Sequence, residues 1–141
     1  MSEANKALAR EFFEAVWNQH NPGAADTYFA ADYVDHNLVL PGQPQGVAGA
    51  RAVFESFIAA FPDVHFTIDT QLAEGDMVAT RWTATGTNSG PLMGMPPSGK
   101  PITVTGIDIV RIAGGKIAER WGMFDGLAMM QQVGAIPAPQ A

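Results

Sequence analysis

Residues 102–123, ITVTGIDIVRIAGGKIAERWGM, decide the fold class. Two runs rich in β-branched and apolar residues, 102–112 and 116–123, flank Gly114-Gly115, which is a typical hairpin turn. The same alternation at 65–70 and 77–86 predicts two further strands upstream. Residues 74–76 predict the turn between them. The second half of the chain therefore predicts an antiparallel meander.

The first half of the chain has apolar residues at helical spacing instead. A period of about 3.6 residues predicts helices over 3–20, 24–29 and 50–61, and a short helix over 125–133 closes the chain. The glycines and prolines of 41–49 and 88–100 predict loops. Helices followed by an antiparallel sheet are typical of an α+β domain. We predict a cone-shaped α+β barrel, in which a curved sheet wraps around the N-terminal helices and encloses a pocket.

Composition limits the function classes. The 141 residues predict a single domain over 1–141, with a core from about 5 to 135 and a flexible tail over 136–141. The net charge of −6 disfavours nucleic acid and anionic membranes as partners. The chain has no cysteine, which excludes disulfides and thiolate chemistry. No stretch has the pattern of a signal peptide or a membrane span, so we expect a cytoplasmic protein.

Asp108 is the candidate acid or base. Alternation along 102–112 places it on one face with Val104 and Val110, and a carboxylate among apolar neighbours is a candidate for proton transfer. Arg120 or Arg81 is the expected partner, because an arginine within an apolar strand usually pairs with a carboxylate. The alternatives are an outer, solvated face for the arginines and a rim position for Asp108.

The other candidate residues are assigned to binding. His36 is expected at the pocket mouth as a second acid/base group, although a loop histidine with satisfied hydrogen bonds is the alternative. The loop around Met93 and Met95 has the character of a lid over an apolar ligand. The predicted substrate-binding residues are Asn37, Arg81, Thr83, Trp17, Met93, Met95 and Trp121. The histidines lack metal-ligand spacing and no nucleotide-binding motif occurs, so neither a metal nor a cofactor is predicted.

Several short stretches, in this order, resemble one family. They are 32–36 (DYVDH), 61–63 (FPD), 73–76 (AEGD), 81–83 (RWT), 90–97 (GPLMGMPP), 105–108 (TGID), 115–117 (GKI) and 120–122 (RWG). Together they resemble the SnoaL-like polyketide cyclase (ester cyclase) family of the nuclear transport factor 2-like cone fold, over about residues 5–135.

The resemblance implies a cofactor-free pocket enzyme. In that family a carboxylic residue abstracts the proton α to an ester or ketone, and the enolate closes a ring by aldol addition. The family's catalytic aspartate falls on Gly122, its pocket histidine falls on Asp108, and a histidine often stands at the place of Arg120. In the related limonene epoxide hydrolases, the arginine of an Asp–Arg–Asp constellation corresponds to Arg81. The two aspartates fall on Thr83 and Gly122, and the accompanying asparagine and tyrosine fall on Asn37 and Asp35.

Three function hypotheses follow. The first is a cyclase or isomerase that transfers a proton next to a carbonyl in an apolar pocket, with Asp108, Arg120 and His36 as catalytic residues. The second is a protein that binds an apolar metabolite without turning it over, which Gly122 favours. The third is an enzyme similar to epoxide hydrolases with a non-standard triad. In each case a homodimer is expected, with Ile107, Ile109 and Trp121 on the paired sheet face.

Overall fold

The computed structural model describes residues 2–137, and most of them belong to helices and strands. The helices are α1 (Ser2–Phe12), α2 (Ala25–Tyr28), α3 (Val47–Ala60) and α4 (Gly126–Gln132). The strands are β1 (Phe29–Asp35), β2 (His65–Glu74), β3 (Met77–Thr87), β4 (Pro101–Ala113) and β5 (Lys116–Phe124). The α+β class is confirmed. Residues 138–141 of the predicted tail lie outside the described residues.

The five strands form one sheet in the order β1-β5-β4-β3-β2. The meander from β2 to β5 is antiparallel, as predicted. The expectation of a purely antiparallel sheet is wrong, because β1 pairs in parallel with β5. The sequence of residues 31–37 predicts a loop that enters a short strand, whereas β1 spans Phe29–Asp35. Since a parallel partner lies far along the chain, no local turn signal marks the pairing.

Register shifts bend the sheet around the helices. They occur between Ile68 and Thr70 in β2 and between Arg111 and Ile112 in β4. A shift of this kind leaves an extra residue on one strand and increases its local bend and twist. The resulting curvature gives the sheet a concave inner face against which α1 and α3 pack.

The helix predicted over 3–20 changes geometry in its second half. After α1 the chain continues as a π-helical segment, Phe13–Asn18, in which Phe13, Val16 and Trp17 are buried. Asn18 fixes the end of the segment against the sheet, since its Nδ2 donates to the carbonyl oxygen of Phe66 and its Oδ1 accepts from that residue's amide. Wider π-helical turns occur frequently at functional sites, and this one presents Trp17 to the interior.

Aromatic side chains fill the space between helices and sheet. Trp17 stacks on Phe66 with 4.6 Å between ring centroids, and Phe66 in turn lies 4.8 Å from Trp82. Phe12 contacts Phe54 from the helix side at 5.5 Å. Such pairs contribute about 0.5–1.5 kcal/mol each beyond the area they bury. The aromatic layer therefore holds α1, α3 and the sheet in a fixed relation around the cavity described below.

Asp125 caps the helix that follows β5. Its Oδ1 accepts a hydrogen bond from the backbone N–H of Ala128 at 3.0 Å, so Asp125 is the N-cap of α4. The carboxylate therefore binds the first turn of α4, and Asp125 does not line the cavity described below.

Candidate active site

A cavity lies between the helices and the concave face of the sheet. The centre of a water molecule can occupy about 100 Å³ of it. Its walls are mainly aromatic and aliphatic, and the ring-bearing ones are Phe12, Phe13, Trp17, Phe29, Tyr33, Phe54, Phe57, Phe61, Phe66, Trp82 and Phe124. Its charged lining residues are Asp35, Asp108 and Arg120. An apolar cavity with a few convergent polar groups is typical of a small-molecule site.

The three charged side chains meet on the inner face of the sheet. The register pairs Asp35 of β1 with Arg120 of β5, and Asp108 of β4 with Gly122. Nη1 of Arg120 lies 3.1 Å from Oδ1 of Asp35, and its Nη2 lies 3.3 Å from Oδ1 of Asp108. The side chains of Asp35, Asp108 and Arg120 are 5%, 13% and 17% exposed. We call this arrangement the Asp35–Arg120–Asp108 cluster.

Electrostatics keep the centre of this cluster charged. Burial by itself would lower the pKa of Arg120, but the charges of Asp108 and Asp35 outweigh it and raise that pKa above its ordinary value. Next to the cluster, burial and then the charge of Asp35 raise the pKa of Tyr33. The guanidinium therefore stays protonated, and the phenol of Tyr33 stays neutral, throughout the physiological pH range.

The two carboxylates of the cluster are held very differently. Asp35 is fixed from several sides: its Oδ1 accepts from the amide of Asn37 at 3.0 Å, and its backbone N–H and C=O both bond to the Gln45 side chain. Among residues 2–137, Arg120 alone donates hydrogen bonds to the side chain of Asp108, and these bonds are long, 3.3 Å from Nη2 and 3.4 Å from Nε. Asp108 is thus the carboxylate with spare hydrogen-bonding capacity at the cavity wall.

Gly122 makes room for this pairing. A Cβ at position 122 would lie 2.5 Å from Nη2 of Arg120 and 2.6 Å from Oδ1 of Asp108, closer than real Cβ contacts come. The resemblance places an acidic residue at this position in the cyclases. In this chain the guanidinium of Arg120 and the carboxylate of Asp108 occupy that space. The cluster can therefore form because residue 122 has no side chain.

Gly122→Ala should therefore force Arg120 and Asp108 apart. We expect the free energy of unfolding to fall by about 1–3 kcal/mol, the usual cost of overpacking, as measured by urea denaturation. Gly126→Ala is the matched control, because a Cβ there meets only ordinary contacts at 3.6 Å. An alanine variant at 122 that keeps its full stability and both ion-pair distances in a crystal structure would contradict this account.

Asp108 and Trp17 occupy the positions that the sequence predicted for them. Asp108 shares the inner face of β4 with Val104 and Val110, which are buried, and it pairs with Arg120. Trp17 lines the cavity from the π-helical segment. These residues and Arg120 are the predicted site residues that the structure brings together.

His36 lies on the opposite side of the sheet from the cavity. Its Nε2 donates to Oε2 of Glu119 at 2.8 Å, and its ring stacks on Trp121 with 4.6 Å between centroids. The hydrogen bonds from His36 and Arg111 hold the pKa of Glu119 below its ordinary range. The expected places of His36 at the pocket mouth and of Trp121 against substrate are therefore corrected. Because side chains alternate along a strand, Asp35 and Arg120 face the cavity, whereas the residues after them, His36 and Trp121, face outward.

Arg81 and Thr83 are also on the outer face. Arg81 is exposed and lines a shallow outer groove with Ile107 and Met123. Thr83 donates from Oγ1 to Oδ2 of Asp69 at 2.6 Å. Their expected contact with substrate in the pocket is corrected, since the inward positions of β3 are even-numbered, as buried Thr80 shows. Arg120, and not Arg81, is the partner of Asp108.

Asn37 supports the site from behind. Its Oδ1 accepts from the amide of Gly122 at 2.9 Å, and its carbonyl oxygen accepts from Nη1 of Arg120 at 3.2 Å. Asn37 does not line the cavity, and these contacts position β5 and its arginine; a role of Asn37 in substrate binding stays a prediction.

The loop of Met93 and Met95 does not line the cavity either. Leu92 and Met95 pair as a tight turn, with backbone hydrogen bonds of 3.0 and 2.9 Å, and Met93 at its tip is 40% exposed. The buried side chain of Asn88 binds the carbonyl oxygen of Gly90 and the amide of Ser98, which pins the loop at both ends. The expected lid is corrected to an anchored loop.

Sequence reasoning missed Asp35 and Tyr33. Both face inward from β1, where Phe29, Tyr33 and Asp35 are buried and the residues between them are not. Tyr33 and Asp35 are two residues apart, and this spacing was the signal that could have placed both side chains on one face of a strand. It was overlooked because β1 is short and the neighbouring His36 is chemically more conspicuous.

Two further features bear on the functional class. Over residues 2–137, no three His, Asp or Glu side chains stand close enough together to hold a metal ion. Within the same part of the chain, no helix combines the length and the apolarity that crossing a bilayer requires.

Ile107 and Ile109, on the face predicted for pairing, are 51% and 38% exposed. The homodimer stays a prediction.

Solved structures with this architecture include three from Streptomyces species. TsrD from Streptomyces laurentii has a TM-score of 0.86 at 29% identity, covering 96% of this chain and 98% of its own. AclR from Streptomyces galilaeus, provisionally named a hydroxylase, has a TM-score of 0.86 at 26% identity, with coverages of 99% and 87%. IdmH from Streptomyces antibioticus, provisionally named a polyketide cyclase, has a TM-score of 0.77 at 31% identity, with coverages of 92% and 98%.

The family assignment comes from the sequence itself. No curated protein matches the chain significantly. The model of the SnoaL-like polyketide cyclase family, however, matches residues 7–133, which include every strand and the whole cavity. The resemblance stated from the short motifs is thereby confirmed, and the chain belongs to the SnoaL-like polyketide cyclase family.

Proposed function

We propose that the protein is a cofactor-free enzyme that transfers a proton next to a carbonyl group of an apolar small molecule. The observation that carries this proposal is the position of Asp108. Its carboxylate faces an apolar cavity, and among the described residues its hydrogen bonds are two long contacts from Arg120. A carboxylate with spare acceptor capacity, positioned in an apolar cavity, is what a general base requires.

The cluster supplies the remaining parts of such a reaction. Asp108 takes the proton from the carbon α to a ketone or ester, and the electron pair moves onto the carbonyl oxygen as an enolate. The charge of Arg120 stabilises this anion, since the guanidinium is fixed beforehand by Asp35 and Asn37. The enolate carbon then adds to a second carbonyl of the same molecule. The proton returns from Asp108 to the new alkoxide, so the product is a cyclic isomer.

Family membership supports the same chemistry. The matching family is that of the SnoaL-like polyketide cyclases, and IdmH, at 31% identity, bears a provisional cyclase name. AclR, at 26% identity, bears a provisional hydroxylase name, so the family fold hosts more than one proposed reaction. The residues of the site, and not the fold, therefore carry the proposal.

A second candidate is favoured by the composition of the cluster. An arginine between two aspartates is the constellation that the resemblance associates with limonene epoxide hydrolases. There its members were expected at Arg81, Thr83 and Gly122, where two of the three are absent. The structure contains an Asp–Arg–Asp arrangement built from other strands, namely Asp35, Arg120 and Asp108. Such a cluster could orient and deprotonate a water for epoxide opening.

A product assay separates these candidates. The purified protein is incubated with cyclisable diketones, polyketide-like methyl esters and terpene epoxides, and products are identified by liquid chromatography and mass spectrometry. An isomer of unchanged mass from a diketone or ester is the expected result. A hydrated epoxide would favour the second candidate. Compounds recovered unchanged, but retained by the protein, would contradict both and favour a binding protein.

A further inference from the structure

Trp82 occupies a distinctive place in the cavity wall. It lies on the inner face of β3 and is 6% exposed. Its six-membered ring covers Gly106 of β4, where a Cβ would come within 2.3 Å of Cζ2. Phe66 packs against the indole with 4.8 Å between centroids. The glycine lets the ring lie directly on the sheet, so these contacts fix the orientation of the indole.

Within the part of the chain that the structure describes, the indole N–H of Trp82 has no hydrogen-bond acceptor. A buried tryptophan usually directs its N–H to a hydrogen-bond partner. In residues 2–137, four buried side-chain polar atoms lack a partner, on Gln43, Arg51, Gln71 and Trp82. Of these residues, Trp82 is the one that lines the cavity. Nε1 is itself buried, so an acceptor atom that packs against this edge of the indole would supply a hydrogen bond that residues 2–137 do not.

Arg120 is poorly placed to provide this hydrogen bond itself. A guanidinium has five N–H donors. Nε and Nη2 donate to Asp108, and Nη1 donates to Asp35 and to the carbonyl oxygen of Asn37. At most one N–H, on Nη2, remains for a ligand. The cluster thus contributes charge, and a neutral donor must come from another part of the wall.

The register places Trp82 close to the cluster. Trp82 pairs with Gly106, and Thr80 pairs with Asp108, so the two pairs are neighbours along the inner face. Positions two residues apart on a strand are separated by about 6.6–6.8 Å. This backbone spacing places Trp82 and Asp108 on adjacent steps of the same face, where one small ligand can contact both residues.

We infer that Trp82 binds the carbonyl oxygen of an apolar ligand through Nε1 and thereby directs the adjacent carbon towards Asp108. The ligand class is a neutral, ring-containing ketone or ester, since the wall outside Trp82 and the Asp35–Arg120–Asp108 cluster is mainly apolar and aromatic. This inference rests on the proposed function for the role of Asp108. The binding step itself does not depend on turnover.

The test uses two ligands that differ only in the carbonyl, 1-tetralone and tetralin. Trp82→Phe keeps an aromatic side chain at this position and removes the N–H. By isothermal titration calorimetry we expect the wild type to bind 1-tetralone more tightly than tetralin. The variant should lose about fivefold in tetralone affinity, as for one neutral hydrogen bond, with tetralin affinity unchanged.

A nuclear magnetic resonance measurement distinguishes the hydrogen bond of the indole N–H from a change in packing. The three tryptophans give three indole N–H signals, and the one missing in Trp82→Phe is that of Trp82. We expect this signal to shift downfield with 1-tetralone and much less with tetralin. An unresponsive signal, equal binding of the two ligands, or no binding of either would overturn the inference. Selective tetralone binding without catalysis in the product assay would instead overturn the proposed function alone.

Discussion

Asp108→Asn should lower turnover by at least about tenfold, and by up to about 10⁴-fold, because a positioned acid or base contributes on that scale. The amide matches the carboxylate in size and can still accept a hydrogen bond from Arg120, but it cannot take up a proton at neutral pH. Arg120 keeps Asp35 as its counter-ion, so the fold should be preserved. The measurement is kcat on whichever ketone or ester the product assay identifies.

Asp69→Asn is the matched control for this experiment. Asp69 is an exposed carboxylate on the outer face of β2, bonded to Thr83 and remote from the cavity. We expect its turnover to equal that of the wild type. If Asp108→Asn retains full turnover while its thermal transition is unchanged, Asp108 does not carry the chemistry. Asp35→Asn would then identify whether the other carboxylate does.

Arg120→Met should cost about 3–5 kcal/mol of unfolding free energy at neutral pH, because removing one partner of a buried ion pair leaves uncompensated charge. Here the loss would leave two buried carboxylates, Asp35 and Asp108, without a cation. Methionine approximates the length of the aliphatic part of arginine, so the cavity wall changes little in volume. Urea denaturation measures the loss.

The pH dependence of this variant distinguishes charge from packing. In the folded variant, protonation neutralises the two buried carboxylates, so the folded state takes up protons more readily than the unfolded chain. Its stability should therefore rise relative to the wild type as pH falls from about 7 to about 4. A deficit that stays constant with pH would indicate lost packing alone and would contradict the electrostatic account.

Two further variants accompany Arg120→Met. Arg111→Met removes an arginine whose partner, Glu119, lies on the outer face of the same pair of strands, and we expect a far smaller loss. Arg120→Lys retains the charge without the planar fork. If the methionine variant does not fold, the lysine variant should still do so with an intermediate deficit.

The helical and strand regions were largely predictable because their signals are local. The alternation in 102–112 and the Gly114-Gly115 turn predicted β4, β5 and the hairpin between them, and the structure differs only by a residue at the ends. The boundary of α3 was less accurate, since it begins at Val47 within the predicted loop. The parallel strand β1 was missed as a full strand, because its partner is about ninety residues away in the chain and no local pattern records that pairing.

The position of a site residue was predictable only where the pattern of its own strand determined the direction of its side chain. The inward direction of Asp108 follows from alternation within β4, which is a property of the sequence alone. Predicting the direction of His36 required knowing which residues of β1 face the cavity. Asp35 does, so His36, the next residue, faces outward and not towards the pocket mouth. The loop around Met93 required knowing that Asn88 anchors it, which depends on a buried contact.

By itself, the sequence determined the α+β class, the family, and the presence of an inward carboxylate at position 108, since composition, period and motif order are all local quantities. The tertiary structure decided which groups meet that carboxylate. Asp35, Asp108 and Arg120 come from three strands and converge only through the β1–β5 pairing. The space left by Gly122 admits their contact. Such convergence depends on distances between residues far apart in the chain, and those distances exist only once the sheet has closed around its helices.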